Sequence, residues 1–394
     1  MSVIKGKFWT EIDSIRGILA LTVAIGHSIG TFILNDYTIP IQHSPDLRSF
    51  ILKLLVSIIN GQTAVIFFFA ISGFVLAAAL EKLPDLSIRS QASFYIARIV
   101  RIYPAHIICL LLYVPYVIYI VKWGSFNNLT CKEYGNVAAW LNYTRLLPLH
   151  FSELIDNLLL AKYSINQVTW SLQVEVYAIP FLPIFYLICK RFKYYIILPV
   201  LAILMATTSK YYGRAYSDFL FIFFMGTCTY FYKDYLINTL LRNFSSSKIL
   251  FLSLLILILP ALVFAGRPPR EIMIESFASC AIIALVTSRQ STINSRLHNS
   301  VLRFLGKLSY SFYLYHHILL ALVVRFIFST VGDQWVFNHQ YLAALSGIFI
   351  SISLSLVVAY LSYSFVEKPM KGMIPTLIKS FQSITTLKRA PATS

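Results

Sequence analysis

Ten long apolar runs restrict what this chain of 394 residues can fold into. A helix needs about 20 mostly apolar residues to cross a bilayer, and within lipid the backbone must satisfy its own hydrogen bonds, as only helices and closed barrels do. Barrel strands would appear as short alternating segments, which these runs are not. The sequence therefore predicts an all-α fold, a polytopic membrane helical bundle of about ten transmembrane helices. The runs lie near residues 14–34, 55–80, 102–121, 170–189, 194–208, 217–236, 249–265, 272–288, 308–331 and 341–366.

The composition excludes the common soluble classes. Hydrophobic residues make up 58% of the chain and charged residues only 12%, against about 45–50% and about 25% in globular proteins. On a soluble protein the net charge of +17 would suggest nucleic acid binding. Here the cations follow the positive-inside rule: with the N-terminus in the cytoplasm, 22 of the 33 Lys and Arg residues fall in cytoplasmic segments and nine in outer ones. An even number of spans puts the C-terminus in the cytoplasm too, and the charge indicates a lipid bilayer as partner, with no nucleic acid.

The segments outside the runs are short. We expect a membrane-embedded domain over residues 1–375 and a polar cytoplasmic tail over residues 376–394. Pro369, which follows the last run, is interpreted as a normal helix stop. The longest stretch between runs, 122–169, contains apolar pieces, so part of it is expected to fold back against the outer face. The five cysteines show neither a disulfide framework nor metal-ligand spacing, and no metal is expected.

The first run carries ionisable residues that are costly within a bilayer. At 100° per residue, Arg16 and His27 fall on one stripe of the helix, about 16 Å apart along its axis. Asp13 lies one turn before Arg16 and can pair with it. Asp13 can equally serve only as a helix cap, and His27 only as a hydrogen-bond partner of a neighbouring helix. The functional alternative is an imidazole deep in the bilayer with an ion pair at the cytoplasmic mouth.

Charged residues accompany two further runs. Arg98 and Arg101, three residues apart, share one helix face before the third run. They suit either cytoplasmic anchoring or a pair of guanidinium forks for a phosphorylated ligand. Glu175 is expected about one turn below the outer face, in the same half of the bilayer as His27, where a carboxylate and an imidazole could meet.

The predicted ninth helix enters from the cytoplasm with several tyrosines and two adjacent histidines. Tyr310 suits either the interfacial aromatic belt or a polar core. His316 and His317 point about 100° apart, so that one can face the interior while the other faces a neighbouring helix. In the second run, Ser72 and Gly73 are small enough to let backbones approach closely.

None of these residues forms a hydrolase elbow, a P-loop, a dinucleotide fingerprint or a zinc motif. What remains is a base, His27, without a nucleophile of its own. Such a base suits direct transfer, in which the hydroxyl of an acceptor is deprotonated and attacks a bound acyl donor.

Six motifs follow one another along the chain, at residues 12–17 with 26–27, 67–74, 98–104, 170–175, 305–316 and 366–369. In this order and spacing the chain resembles the acyltransferase 3 family of membrane proteins, which acylate sugars and other cell-envelope or secreted acceptors. The motifs extend over nearly the whole chain, so the resemblance implies one polytopic acyltransferase domain.

The resemblance implies roles residue by residue. His27 matches the histidine that the family uses in catalysis, and Glu175 matches the glutamate of the tryptophan-led motif, expected to orient it. The family's functional arginines are expected to meet the phosphates of acyl-coenzyme A; here they are Arg16, Arg98 and Arg101. The remaining polar-core candidates are Asp13, Ser72, Tyr310 and His316. His317 lies outside the motif, and its role is left open.

The function implied by the resemblance is that of a membrane O-acyltransferase in the inner or cell membrane of a bacterium. It would move an acyl group, acetyl in the common case, from acyl-coenzyme A to a hydroxyl of a cell-surface or secreted glycan. An acyl group carried by the histidine itself is the alternative mechanism, and a homo-oligomer is left open. The alternative function is a transporter or exporter of a small or glycan-linked solute, since buried ionisable groups also suit transport, although no inverted repeat with paired broken helices is visible.

Overall fold

The computed structural model describes residues 9–32, 46–123, 150–192, 194–206, 219–263, 269–288 and 297–387. Within these ranges the regular secondary structure is helical, as predicted, and no strand occurs. The helices are α1 (Thr10–Phe32), α2 (Leu47–Ile58), α3 (Gly61–Leu80), α4 (Ile88–Trp123), α5 (Phe151–Leu158), α6 (Trp170–Ala178), α7 (Leu182–Arg191), α8 (Tyr194–Ala206), α9 (Leu220–Leu241), α10 (Ser246–Val263), α11 (Pro269–Thr287), α12 (Ser300–Val331), α13 (Asp333–Asn338), α14 (Gln340–Ser362) and α15 (Lys368–Leu387).

The number of spans differs from the sequence-based estimate. Within the described ranges six helices are long and apolar enough to cross a membrane, or seven if the pair α9 and α10, bent by 109°, counts as one span. Each predicted run does contain a helix, but α8 has only 13 residues, and α11 carries three charges in its first half, Arg270, Glu271 and Glu275. The count of ten and the cytoplasmic placement of the termini stay predictions.

Helices α1 and α12 run parallel and touch along their length. Gly306 packs against the backbone of Asp13 so closely that a Cβ atom there would collide with the Asp13 carbonyl. About four turns further along α1, the ring of His27 lies 5.4 Å from the ring of His316, centroid to centroid. Both helices therefore enter from the same side, as the predicted first and ninth spans do.

Helix α4 also runs parallel to α12. The Tyr310 hydroxyl donates to the carbonyl of Ile102 at 2.6 Å, and further along the helices Tyr113 and His317 share a hydrogen bond of 2.9 Å. These two contacts set the register between the helices. They bring the arginine pair of α4 beside the first half of α12.

The segment before α6 folds back into the bundle. Leu160 and Ile165 are buried, and the Asn166 side chain donates to the carbonyl of Leu314 in α12 at 3.2 Å. The described end of the 122–169 stretch thus packs against α12, while its placement at the outer face stays a prediction. Residues 124–149 lie outside the described ranges. As a consequence, α6 starts inside the bundle rather than at its outer edge.

The last helix does not stop at Pro369. A π-helical turn, Tyr363–Glu367, joins α14 to α15, and α15 continues to Leu387. A proline lacks an N–H and crowds the preceding turn of an α-helix, and a wider π turn relieves that crowding. The division at residue 376 stays a prediction, and residues 388–394 lie outside the described ranges.

Glycines also permit a close crossing between α3 and α9. A Cβ atom on Gly73 would collide with the carbonyl of Phe223, and one on Gly226 with the carbonyl of Ala70. Neither neighbour is a flexible side chain that could move aside, because both contacts are with backbone. The two helices must therefore separate if either glycine gains a side chain.

We expect Gly226→Ala to lower the free energy of unfolding by about 1–3 kcal/mol, the usual cost of overpacking a core. Thermal unfolding in detergent micelles measures this as a lower midpoint. The matched control is Gly372→Ala in α15, where an added Cβ meets nothing within 4 Å. An unchanged midpoint for Gly226→Ala would contradict the close crossing of α3 and α9.

Candidate active site

A cavity opens where α1, α3, α4, α6 and α12 meet. Its walls combine apolar side chains such as Phe68 and Leu172 with charged and hydroxyl groups. The sequence-predicted residues that line it are Arg16, Ser72, Arg98, Arg101, Glu175 and Tyr310. Two separate motifs thus deliver three arginines to one cavity, which the sequence could not show.

The positive charge of this cavity exceeds its negative charge. Arg16 interacts electrostatically with Arg101 and with the carboxylates of Asp13 and Glu175. Its ion pair with Asp13 spans 3.7 Å, and both side chains keep about a fifth of their surface exposed. The residues that line the cavity include three arginines and one carboxylate, that of Glu175. Such a cluster of like charges can bind an anion, because a bound anion relieves their mutual repulsion.

Helix α4 supplies two of the three guanidinium groups. Arg98 and Arg101 both line the cavity, as their i, i+3 spacing predicts. The guanidinium of Arg98 lies 5.7 Å from the centre of the Phe94 ring, and the hydrogen bond from Tyr310 to Ile102 anchors the next turn. Planar forks held in this way match the geometry of phosphate oxygens.

Glu175 lies with the arginines, and this differs from the expected placement. It interacts electrostatically with Arg16 and Arg98. Because the segment before α6 folds back, α6 begins inside the bundle. There the Ser171 and Tyr313 hydroxyl oxygens lie 2.7 Å apart. One turn later, Glu175 reaches the level of the arginine cavity rather than that of His27.

His27 faces a different part of the bundle. It is not among the residues that line the arginine cavity. Its ring lies 5.4 Å from that of His316 and 6.2 Å from that of His317, centroid to centroid. The predicted stripe on α1 therefore leads from the arginine cavity at Arg16 to a cluster of imidazoles at His27.

The two histidines of α12 are held differently. His316 places Nδ1 at 2.7 Å from the carbonyl of Tyr313 in its own helix. His317 places Nδ1 at 2.9 Å from the Tyr113 hydroxyl, and the two rings stack. His317, whose role the sequence left open, is thus tied to α4. Nothing in the sequence singled out Tyr113.

Glu367 is a buried carboxylate that the sequence treated only as part of a helix end. It accepts a hydrogen bond from Ser311 at 2.6 Å and pairs with Lys371 at 2.9 Å. It also interacts electrostatically with Arg16. The π turn that includes Glu367 shifts the helical register at this point, which simple 3.6-residue periodicity does not anticipate. The signal that could have found it was its place in the 366–369 motif.

Comparison with known proteins gives the family. The profile of the acyltransferase 3 family, described as an acyltransferase domain, matches residues 9–364. The chain belongs to the acyltransferase 3 family. That match includes α1 to α14, and so every helix that lines the cavity.

Individual relatives match over a shorter segment. Proteins of Staphylococcus aureus strains COL, MSSA476 and MRSA252 named "Putative O-acetyltransferase" are each 36% identical over 96 residues, which is 24% of this chain. The matched segment spans only 14% of the length of each relative. No solved structure matches the chain.

Proposed function

We propose that this acyltransferase is a membrane O-acetyltransferase that uses acetyl-coenzyme A and acts on a hydroxyl of a cell-surface or secreted glycan in a bacterial cell membrane. The convergence of Arg16, Arg98 and Arg101 on one cavity carries the proposal. A donor with several phosphates suits three guanidinium groups better than a neutral solute does. The names of the staphylococcal relatives support the choice of acetyl and of oxygen as the acceptor atom.

The two ends of the α1 stripe suggest how the donor lies. The phosphates of coenzyme A would occupy the arginine cavity, while the uncharged pantetheine arm would extend along α1 toward His27, about 16 Å away along the axis. The thioester would then meet the imidazoles of α1 and α12. Binding energy from the remote phosphates would hold the reacting end in place.

His27 is proposed as the general base. It takes the proton of the acceptor hydroxyl as the oxygen attacks the acyl carbon, the new C–O bond forms and the C–S bond breaks. The proton then passes from His27 to the sulfur of coenzyme A. The reaction consumes no further reactant, and each transfer leaves the histidine neutral for the next.

The geometry favours a different task for Glu175 from the one expected. Its carboxylate interacts with the guanidinium groups of Arg16 and Arg98. It can therefore offset their mutual repulsion and keep them oriented while no donor is bound. We therefore assign Glu175 to the donor cavity, with Glu367 as a further carboxylate that interacts with Arg16. Ser72 and Tyr310 line the same cavity.

The test compares the purified protein with and without donor and acceptor. With acetyl-coenzyme A and an envelope glycan fraction, we expect release of free coenzyme A thiol and an acetylated glycan detectable by mass spectrometry. Glycans from cells with and without the gene give the same comparison in vivo. A transporter would instead move solute across vesicles without consuming thioester, and that result would overturn the proposal.

A further inference from the structure

His27 needs a partner once it has taken a proton. In catalytic triads, a carboxylate accepts a hydrogen bond from the second ring nitrogen of the histidine and fixes its orientation. The sequence offered Glu175 for this role, but the structure places Glu175 with the arginines. Two side chains of α12, His316 and His317, lie beside the His27 ring.

His316 has the one property that such a partner requires. Its Nδ1 lies 2.7 Å from the carbonyl oxygen of Tyr313. A carbonyl can only accept, so Nδ1 carries the hydrogen, and in the neutral ring Nε2 is left with a lone pair. This nitrogen is buried, and among the described residues it has no hydrogen-bond partner. A buried acceptor without a partner is uncommon and calls for a functional reason.

The His316 ring is held firmly in this orientation. The rings of Phe312 and Tyr313 pack against it with centroids 6.2 and 5.6 Å away, and its side chain is only 2% exposed. The neighbouring His317 already uses Nδ1 for the Tyr113 hydroxyl. Its ring also lies further from His27, at 6.2 Å against 5.4 Å for His316.

We infer that His316 is the positioning residue for His27: its Nε2 accepts a hydrogen bond from the His27 ring when that ring carries the proton of the acceptor hydroxyl. The inference rests on the proposed function. In the transfer, the acceptor O–H bond breaks and its proton moves to His27. The hydrogen on the other ring nitrogen of His27 is meanwhile shared with Nε2 of His316. His316 itself stays neutral throughout, and the proton ends on the coenzyme A sulfur.

Two substitutions at one position separate this role from packing. His316→Phe keeps an aromatic ring of similar size but removes the acceptor. His316→Gln places an amide oxygen near the position of Nε2 and so keeps one. We expect kcat for acetyl transfer to fall at least about tenfold in the Phe variant. This is less than the full contribution of a general base, about 10²–10⁴-fold, because His27 itself remains. The Gln variant should recover most of that loss, and KM for acetyl-coenzyme A should stay unchanged in both.

The control is His339→Phe. His339 is exposed and also holds Nδ1 near a carbonyl of its own helical turn, that of Trp335 at 3.0 Å. The His339→Phe substitution makes the same chemical change away from the imidazole cluster, so the kcat and KM of this variant should equal those of the wild type. The unfolding midpoint of every variant is measured in detergent beside the kinetics, so that a packing defect appears there.

The outcomes are distinct. A wild type that transfers acetyl while His316→Phe keeps its kcat overturns the inference alone. Equal losses in the Phe and Gln variants, with equal falls in unfolding midpoint, assign His316 to packing and also overturn it. A wild type that transfers no acetyl group overturns the proposed function and this inference with it.

Discussion

Replacing His27 with glutamine is expected to lower the rate of acetyl transfer by about 10²–10⁴-fold, the usual contribution of a general base. Glutamine keeps a hydrogen-bonding side chain of similar length but cannot take up a proton at neutral pH. The measurement is kcat with saturating acetyl-coenzyme A, followed as release of free thiol.

Donor binding should survive this substitution. His27 is not among the residues that line the arginine cavity, so KM for the donor, or its Kd measured by calorimetry, is expected to match the wild type. His339→Gln, at the exposed residue that follows α13, serves as the control. A His27→Gln variant that transfers acetyl at the wild-type rate would refute the assignment of His27 as the base.

Helical periodicity predicted the parts of the site that lie on a single helix. The i, i+3 spacing put Arg98 and Arg101 on one face, and both line the cavity. The spacing of eleven residues from Arg16 to His27 puts both on one stripe, and both face the interior neighbours of α1. These predictions held because intrahelical geometry depends on the backbone alone.

The depth of Glu175 could not be predicted in this way. The sequence-based estimate measured it from an assumed start of the fourth span at the outer face. In the structure, Leu160, Ile165 and Asn166 are buried and Asn166 contacts α12, and α6 therefore starts deeper. Whether such a segment folds back depends on contacts with α4 and α12 that are distant in sequence.

Contacts between helices were equally inaccessible. Tyr113 and His317 are 204 residues apart and meet only because α4 and α12 pack in parallel. Glu367 becomes buried because a π turn changes the register of the helix. The apolar runs marked the helices, but they could not show that α9 and α10 bend by 109° between them.

Removing a guanidinium from the donor cavity should weaken donor binding. We expect Arg98→Gln or Arg101→Gln to raise KM for acetyl-coenzyme A by about 10–100-fold, since a hydrogen bond to a charged group contributes about 1.5–3 kcal/mol and each 1.4 kcal/mol is about tenfold in affinity. Arg101→Lys keeps the charge but loses the planar fork, so its KM should lie between those of the wild type and Arg101→Gln. Steady-state kinetics at fixed ionic strength measure all three.

The alternative is that these arginines only orient the protein in the membrane. Arg303→Gln removes a predicted cytoplasmic cation from an exposed position of α12 and is therefore the matched control, expected to leave KM unchanged. Acetyl-pantetheine, which lacks the phosphates, separates the two explanations further. If the guanidinium groups bind phosphate, wild type and Arg98→Gln should use this truncated donor equally well, and the penalty should appear only with the complete one. If Arg98→Gln loses activity equally with both donors, Arg98 supports the fold or its orientation and does not bind the donor.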